Sequence, residues 1–467
     1  MHISNKTNYH LINILIGIIP ISIIFGTLAI NINILLIIIF GILNYKLSLF
    51  ECKEKFYKYT ISIFFLYIVI LSFISYFKFF GEQNLYFENF LKSIFFLRYL
   101  LLFFVINKII EEKILNLNYL YYVSTFACFL LGLDLIIQYN LGKDIFGFIP
   151  KDGDETRRLA GFFNQEYVAG SYLQKFSLFA IFAIFFLKNL SKKNLMIIFL
   201  ISSIFFLVCI FISGNRMPFL LFILNLGIMC LVERKLIKNF LILIFTTIIL
   251  GYASINYQNE KLINSNLQVH FKNLYLQSKE IIVQAKGAFL GNEKYKHDWV
   301  TFVESTEKEK RRFEEETKDK YLIKSPHLRI FNAGVNTWKE KPIFGGGIKS
   351  FKINCEWKFN HSCAPHTHNY YIEVMVDLGI VGLLIFLVLF YYPIINFLIH
   401  YLNDTNYNVL LSVRFLILPI FLIIFSEAFP IRSSGSFFST QNASIIFLFL
   451  PMLLNFNKIL GIKNFTR

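Results

Sequence analysis

Charged residues are scarce in this sequence. They make up 16% of 467 residues, against about 25% in an average soluble domain. Apolar residues take their place at 56%, which excludes an ordinary water-soluble domain and implies a polytopic membrane protein. Cysteine is also sparse: six residues do not make the dense disulfide framework of a small secreted scaffold. Acidic residues are outnumbered, 30 against 46 basic, for a net charge of +16. In a membrane protein such an excess first reports lysines on cytoplasmic loops, so it does not require a nucleic-acid partner. No small-residue cleavage site follows the first apolar run and a second run follows at once, so no cleaved signal peptide is expected. No internal repeat is evident.

What is present is a series of apolar runs. A spanning helix needs about 20 mostly apolar residues, and on that criterion twelve spans are expected, at 11–29, 32–49, 60–79, 92–110, 119–139, 167–187, 195–213, 218–231, 240–257, 370–391, 409–427 and 444–457. The first two are expected to meet at a turn near Asn31. The predicted fold is therefore all-α. Residues 1–257 hold helices 1–9, 258–369 form a large loop, and 370–467 hold helices 10–12. Alternate short loops carry Lys46, Lys53, Lys55 and Lys58; Lys108 and Lys113; Lys188, Lys192 and Lys193; and Arg234, Lys235 and Lys238. The positive-inside rule makes those loops and both termini cytoplasmic, and the large loop exoplasmic.

The basic residues sort by type. The cytoplasmic loops are almost all lysine, while Arg157, Arg158, Arg216, Arg329 and Arg432 fall on the outer side. Topology does not explain arginines there. A rigid, bidentate guanidinium suits phosphate, so a diphosphate at the outer leaflet accounts for them together. Snorkelling to lipid headgroups is the alternative for each singly. Gly161 is placed to turn the chain back into the membrane, and Asn164 to cap the helix that follows. Arg216 sits in a very tight turn with Ser213, Gly214 and Asn215.

Within the large loop, 304–320 alternates in charge as a solvated helix does. Leu328, Phe331, Val335 and Trp338 recur at helical spacing, predicting an amphipathic helix over 326–341. Gly345, Gly346 and Gly347 follow no strand and open no apparent helix, so they read as a hinge. Cys355 and Cys363 lie outside the cytoplasm, where a disulfide persists. The rival is a metal site made with His361, His366 and His368, whose spacing matches no standard zinc pattern. His366, His368 and Asn369 end the loop just before the next apolar run. In an extended segment both imidazoles point one way, and a neutral imidazole accepts a proton from an attacking hydroxyl. Arg98, Asp134, Arg414 and Glu427 are ionisable residues inside predicted spans, where such groups default to functional hypotheses.

Four stretches carry a resemblance: RLAGFFN at 158–164, SGNR at 213–216, RIFNAGVNTWKEKPIFGGG at 329–347, and HTHNYYIEVMVDLGIVG at 366–382. In order and topology they resemble the O-antigen ligase and polymerase superfamily of bacterial inner-membrane glycosyltransferases. The resemblance implies a GT-C-like helical fold and inverting glycosyl transfer without a metal or other cofactor. It implies an undecaprenyl-diphosphate-linked glycan as donor. Lipid A-core or a second lipid-linked glycan is the acceptor. Arg158 and Arg216 match the arginines that hold the diphosphate, with Arg329 a further candidate. His368 best matches the base, with Asn369, Asn164 and Arg157 in support, and His366 is an additional imidazole that leaves the choice of base open. A ligase is the first expectation and a polymerase the second. A protein oligosaccharyltransferase fits less well. A lipid-linked oligosaccharide flippase is the reading from a different class, against which the clustering of polar features on one face counts.

Overall fold

A chain this apolar has one economical way to satisfy its backbone in a bilayer, the α-helix, whose hydrogen bonds stay within the segment. The computed structural model describes residues 5–78, 83–149, 158–164, 166–184, 191–232, 236–256, 326–359, 364–403, 415–433 and 435–461. Among these residues the regular structure is helical throughout. In chain order the helices are α1 (Asn5–Gly17), α2 (Ile19–Ile24), α3 (Thr27–Tyr45), α4 (Lys55–Lys78), α5 (Gln83–Phe96), α6 (Arg98–Glu111), α7 (Asn118–Leu141), α8 (Ala169–Ala183) and α9 (Lys192–Ile212). Then come α10 (Arg216–Val232), α11 (Ile237–Asn256), α12 (Pro326–Trp338), α13 (Ser350–Phe359), α14 (Tyr370–Asn403), α15 (Leu418–Glu427), α16 (Thr440–Leu454) and α17 (Phe456–Ile459).

Six helical segments among the described residues are long and apolar enough to cross a membrane: Thr27–Phe50, Lys55–Phe77, Leu85–Glu111, Asn118–Leu141, Lys193–Ile212 and Tyr370–His400. The other apolar runs give shorter helices. Two of these, α15 and α16, are 10 and 15 residues long, and with the 15-residue α8 they are buried almost all round. A helix apolar on every face belongs inside the bundle. The outer helices instead leave a stripe bare. On α3, Leu28, Ile32, Leu35, Ile39 and Leu43 are exposed while Ile30, Ile34, Ile37 and Ile38 are buried, as expected of a helix with one face to lipid. The chain is thus a multi-pass membrane protein.

Local breaks differ from the sequence expectation at three places. The turn between the first two runs is at Gly26, with φ +92°, and α3 runs straight through Asn31. The run at 92–110 is two helices meeting at Leu97, the first of which begins already at Gln83. Helix α14 is interrupted at Gly379, with φ +68° and ψ −171°.

That interruption gives the three glycines a partner. The Gly346 and Gly347 amides donate to the Val376 and Asp377 carbonyls at 3.2 and 2.8 Å. The Ile380 and Val381 amides donate back to Pro342 and Ile343 at 2.9 and 3.3 Å. The Tyr67 hydroxyl donates to the freed Leu378 carbonyl at 2.9 Å. A Cβ on Gly345 would lie 2.6 Å from the Asp377 backbone, and one on Gly379 would overlap the Ile343 carbonyl. The glycines therefore permit close backbone approach to a broken helix, which re-satisfies the polar groups the break exposes. They are a fixed joint and not a hinge. Asp377 completes it: its carboxylate accepts from the Lys349 amide (2.7 Å), the Ser350 hydroxyl (3.0 Å) and the Phe351 amide (3.2 Å), capping α13 from another helix.

Candidate active site

The loop entering α14 is built around Asn369. Its side-chain oxygen accepts from the Tyr371 and Ile372 amides at 3.0 and 3.2 Å, the N-cap arrangement that satisfies two orphan donors of the helix. Its amide nitrogen donates to the Pro430 and Arg432 carbonyls at 2.8 and 3.1 Å, so the cap also fastens the loop to the segment after α15. The Thr367 hydroxyl donates to the Asn369 carbonyl at 3.0 Å. His368 takes a left-handed φ of +56°. The segment is therefore bent where the sequence suggested an extended one, and the bend brings the His366 and His368 rings together with centroids 4.2 Å apart.

Burial pushes the His366 pKa down to about 4, helped by the positive charge of His368 when protonated and by the Lys349 ammonium. Its Nε2 is buried and has no hydrogen-bond partner among the described residues. The ring is therefore neutral at pH 7 and able to accept a proton. Because its native pKa lies below the unfolded value near 6.5, its contribution to stability is complete above pH 6.5 and is lost as pH falls toward 4. In protein carrying ¹⁵N-histidine, the His366 resonances are expected to keep the neutral pattern down to about pH 5; half-protonation near pH 6 would show that burial does not depress this imidazole.

Beneath the loop lies a buried ionic cluster. Glu427 Oε1 is 2.8 Å from Lys175 Nζ and 2.8 Å from an Arg432 guanidinium nitrogen, and Oε2 accepts the Tyr370 hydroxyl at 2.8 Å. The Arg432 guanidinium lies over the Tyr370 ring, 5.4 Å from its centroid, and donates to the Ser426 carbonyl at 3.0 Å. Lys175 and Arg432 both spend their charge on one carboxylate, so the described cluster is net cationic. Gln174 donates to the Ser426 hydroxyl at 3.2 Å, which donates to Asn225 of α10 at 2.8 Å. Among ionisable groups inside apolar runs, the sequence reading picked out Glu427 but passed over Lys175, Glu373 and Asp377, though each is visible there as a charge in a predicted span. Arg98, by contrast, hydrogen-bonds the Phe95 carbonyl, Tyr99 and Thr440.

Helix α8 links this cluster to the arginine segment. The Leu159 amide donates to the Ser213 carbonyl at 3.1 Å, which places Arg158 beside the turn that begins α10 at Arg216. A Cβ on Gly170 would overlap the Ser213 hydroxyl and come within 2.8 Å of Asn215. The first turn of α8 is thus against that turn, and Lys175 follows little more than one helical turn later. Gly161 takes φ +54°, with its amide on the Gln138 side chain at 3.0 Å, and makes the predicted return of the chain. Asn164 does not cap α8, which starts at Ala169 with no side-chain cap. Asn164 instead ends the 3-10 turn Gly161–Phe163 at φ +55°.

Arg329 lies in α12, which packs its small residues inward: a Cβ on Gly334 would crowd Ile372 and Thr367. Ile330 and Ala333 pack with Trp338 against Phe351, Cys355 and Val376. Of the predicted stripe of Leu328, Phe331, Val335 and Trp338, Trp338 is on this packed face, with Ile330 and Ala333 beside it. Cys355 is disulfide-bonded, while Cys52, Cys128, Cys209 and Cys230 are free thiols. Arg157, His361, Cys363, Arg414 and the expected helix at 304–320 lie outside the described residues.

The sequence model of the O-antigen ligase family matches residues 201–387. That stretch takes in Arg216, Arg329, the glycine joint, both histidines and the break at Gly379; Arg158 and the Lys175–Glu427–Arg432 cluster lie beyond its ends. The search of curated proteins finds no match.

Proposed function

As this chain belongs to the O-antigen ligase superfamily, we propose that it is a glycosyltransferase that moves a glycan from undecaprenyl diphosphate to a sugar hydroxyl of lipid A-core. The observation that carries the reading is the histidine pair, held by Asn369 and joined through Arg432, Glu427, Lys175 and α8 to the segment bearing Arg158 and Arg216. In this reading one imidazole, His368 or His366, takes the acceptor hydroxyl proton as that oxygen attacks the anomeric carbon. The anomeric C–O bond to the diphosphate breaks with inversion, and the negative charge gathering on the leaving diphosphate is met by Arg158, Arg216 and Arg329. Guanidinium groups already in place stabilise that charge more in the transition state than in the ground state. The reaction needs no metal in this scheme.

The proposal sets the protein in the bacterial inner membrane with both termini cytoplasmic and the site facing the periplasm. In this proposal nine membrane spans occupy 1–257 and three occupy 370–467, in a GT-C-like arrangement around the periplasmic loop at 258–369. Cys363 is proposed as the partner of Cys355, closing a short loop beside the histidines. A strain lacking the gene is tested by a lipopolysaccharide gel together with analysis of carrier-linked glycan. Unmodified core with polymer still accumulating on the carrier is the expected result. Core bearing at most one repeat, with no carrier-linked polymer, would make the protein a polymerase of the same superfamily. Loss of transfer, with carrier-linked glycan retained on the cytoplasmic side, would make it a flippase.

A further inference from the structure

Two non-glycine residues near the histidine loop hold a left-handed backbone: His368 itself and Lys349, at φ +56°. Lys349 comes two residues after three consecutive glycines, in a conformation glycine adopts freely and a lysine only at a cost. The surrounding structure fixes it there. The Lys349 amide is bound to Asp377 at 2.7 Å, its carbonyl accepts from Asn89 of α5 at 3.3 Å, and the preceding amide, of Ile348, is bound to Ser72 of α4 at 3.2 Å. Strained positions persist only where the surrounding structure fixes them, and they cluster at functional sites.

Among the described residues the Lys349 ammonium has no hydrogen-bond or ion-pair partner. Among the described residues Lys92, Lys108, Lys175 and Lys458 each have a carboxylate within ion-pair distance, but Lys349, though half-buried, has neither an ion pair nor a hydrogen bond through its Nζ. The nearby acids are already engaged: Asp377 by three donors at the head of α13, and Glu373 by the Ser436 hydroxyl at 2.5 Å and the Phe437 amide at 2.6 Å. A cation kept partly out of water, with no described carboxylate within ion-pair distance, is poised for an anion. Burial and the charge of Lys92 lower its pKa, the two carboxylates opposing them, and its own charge reaches His366.

Its position decides which anion. Arg158 and Arg216 approach from the α8–α10 side of the molecule, to which Asn369 ties the histidine loop through Arg432. Lys349 stands on the α4–α5 side. If the arginines take the donor diphosphate, the second substrate must reach the histidines from elsewhere. We propose that Lys349 binds a phosphate group of the acceptor lipid-glycan and so helps select phosphorylated acceptors. This inference rests on the glycosyltransferase reading above. Both acceptor classes open to that reading carry phosphate: the core-bearing lipid on its sugars, and a second carrier-linked glycan in its diphosphate.

The test uses the full-length protein in nanodiscs with carrier-linked donor and three acceptors: phosphorylated lipid A-core, the same molecule dephosphorylated, and a second carrier-linked repeat. Lys349→Gly relieves the left-handed strain and so preserves the fold, and Lys349→Arg keeps the charge. In Lys349→Gly the KM for one phosphorylated acceptor is expected to rise about tenfold or more, with donor KM within about twofold. Lys349→Arg should restore most of the loss, and dephosphorylated core should not distinguish Lys349→Gly from the unaltered protein. Which acceptor responds identifies the source of the phosphate. The inference is overturned by an unchanged acceptor KM, by a rise in donor KM instead, or by a fall in kcat alone with a shifted acid limb, which would confine the lysine to His366. Binding of each acceptor without donor, read by intrinsic fluorescence, separates the two levels. Lys349-dependent binding without any transfer keeps the phosphate site and discards the transferase; binding indifferent to Lys349 discards the site.

Discussion

Replacing His368 by asparagine is expected to lower glycan transfer by about 10²-fold or more, the usual share of a general base, while the protein still inserts and unfolds near its normal temperature. Asparagine is the informative replacement because of the backbone. At φ +56° an alanine would add strain of its own, whereas asparagine tolerates the left-handed region. The Asn369 cap and its bonds to Pro430 and Arg432 do not involve the His368 side chain, so the loop keeps its anchor. What is lost is a nitrogen able to take a proton. The companion variant, His366→Asn, reads the second imidazole, whose ring lies 4.2 Å away and is neutral at pH 7. The variant with the greater loss in kcat identifies the base. Normal product formation by His368→Asn would end its candidacy. Normal product from both variants would end the acid–base role of the loop.

The helices were legible because apolar runs are long-range averages: displacing a boundary by three residues leaves the run intact. Local breaks were less legible. The chain turns at Gly26 and not Asn31, and α14 breaks at Gly379; Asp377 and Gly379 are visible in that run, but nothing there shows that the helix breaks, because its compensating partner is the glycine segment some thirty residues earlier. The same separation made Gly345, Gly346 and Gly347 read as a hinge when they form a joint. Of the candidate site, the histidines and the outer arginines could be singled out by residue type and loop position. Lys175 could not be weighted correctly, because one lysine in an apolar run gives no hint that its counter-charge, Glu427, is 252 positions away in sequence and 2.8 Å away in space. Lys349 is harder still. What marks it is a backbone angle and the absence of a partner, and neither is a property of sequence.

The second large effect is expected at Glu427, and it falls on stability before activity. Its carboxylate is wholly buried, with Lys175 and Arg432 both at 2.8 Å from one oxygen and the Tyr370 hydroxyl on the other. Glu427→Gln keeps the volume and removes the charge, leaving an ammonium and a guanidinium facing each other out of water. Breaking a buried pair in this way costs about 3–5 kcal/mol, because the uncompensated charge stays behind. Lys175→Met is the contrasting case: it deletes one of two cations, and the remaining Glu427–Arg432 pair is neutral and still capped by Tyr370. Its cost is expected to be less than half that of Glu427→Gln. The double variant Glu427→Gln/Lys175→Met should then be more stable than Glu427→Gln alone, since the repulsion has gone although the anion has not returned, the non-additivity expected of groups in one network. Thermal unfolding in detergent, with the amount of protein in the membrane fraction, measures all three. The cluster should also act on catalysis at one remove, since the Arg432 carbonyl holds Asn369; in whatever folded Glu427→Gln remains, kcat should fall with the loosened loop while donor KM holds. If Glu427→Gln unfolds at the normal temperature, or the double variant is no better than Glu427→Gln, the cluster does not brace the histidine loop, and the link from α8 to Asn369 would have to be sought in packing alone.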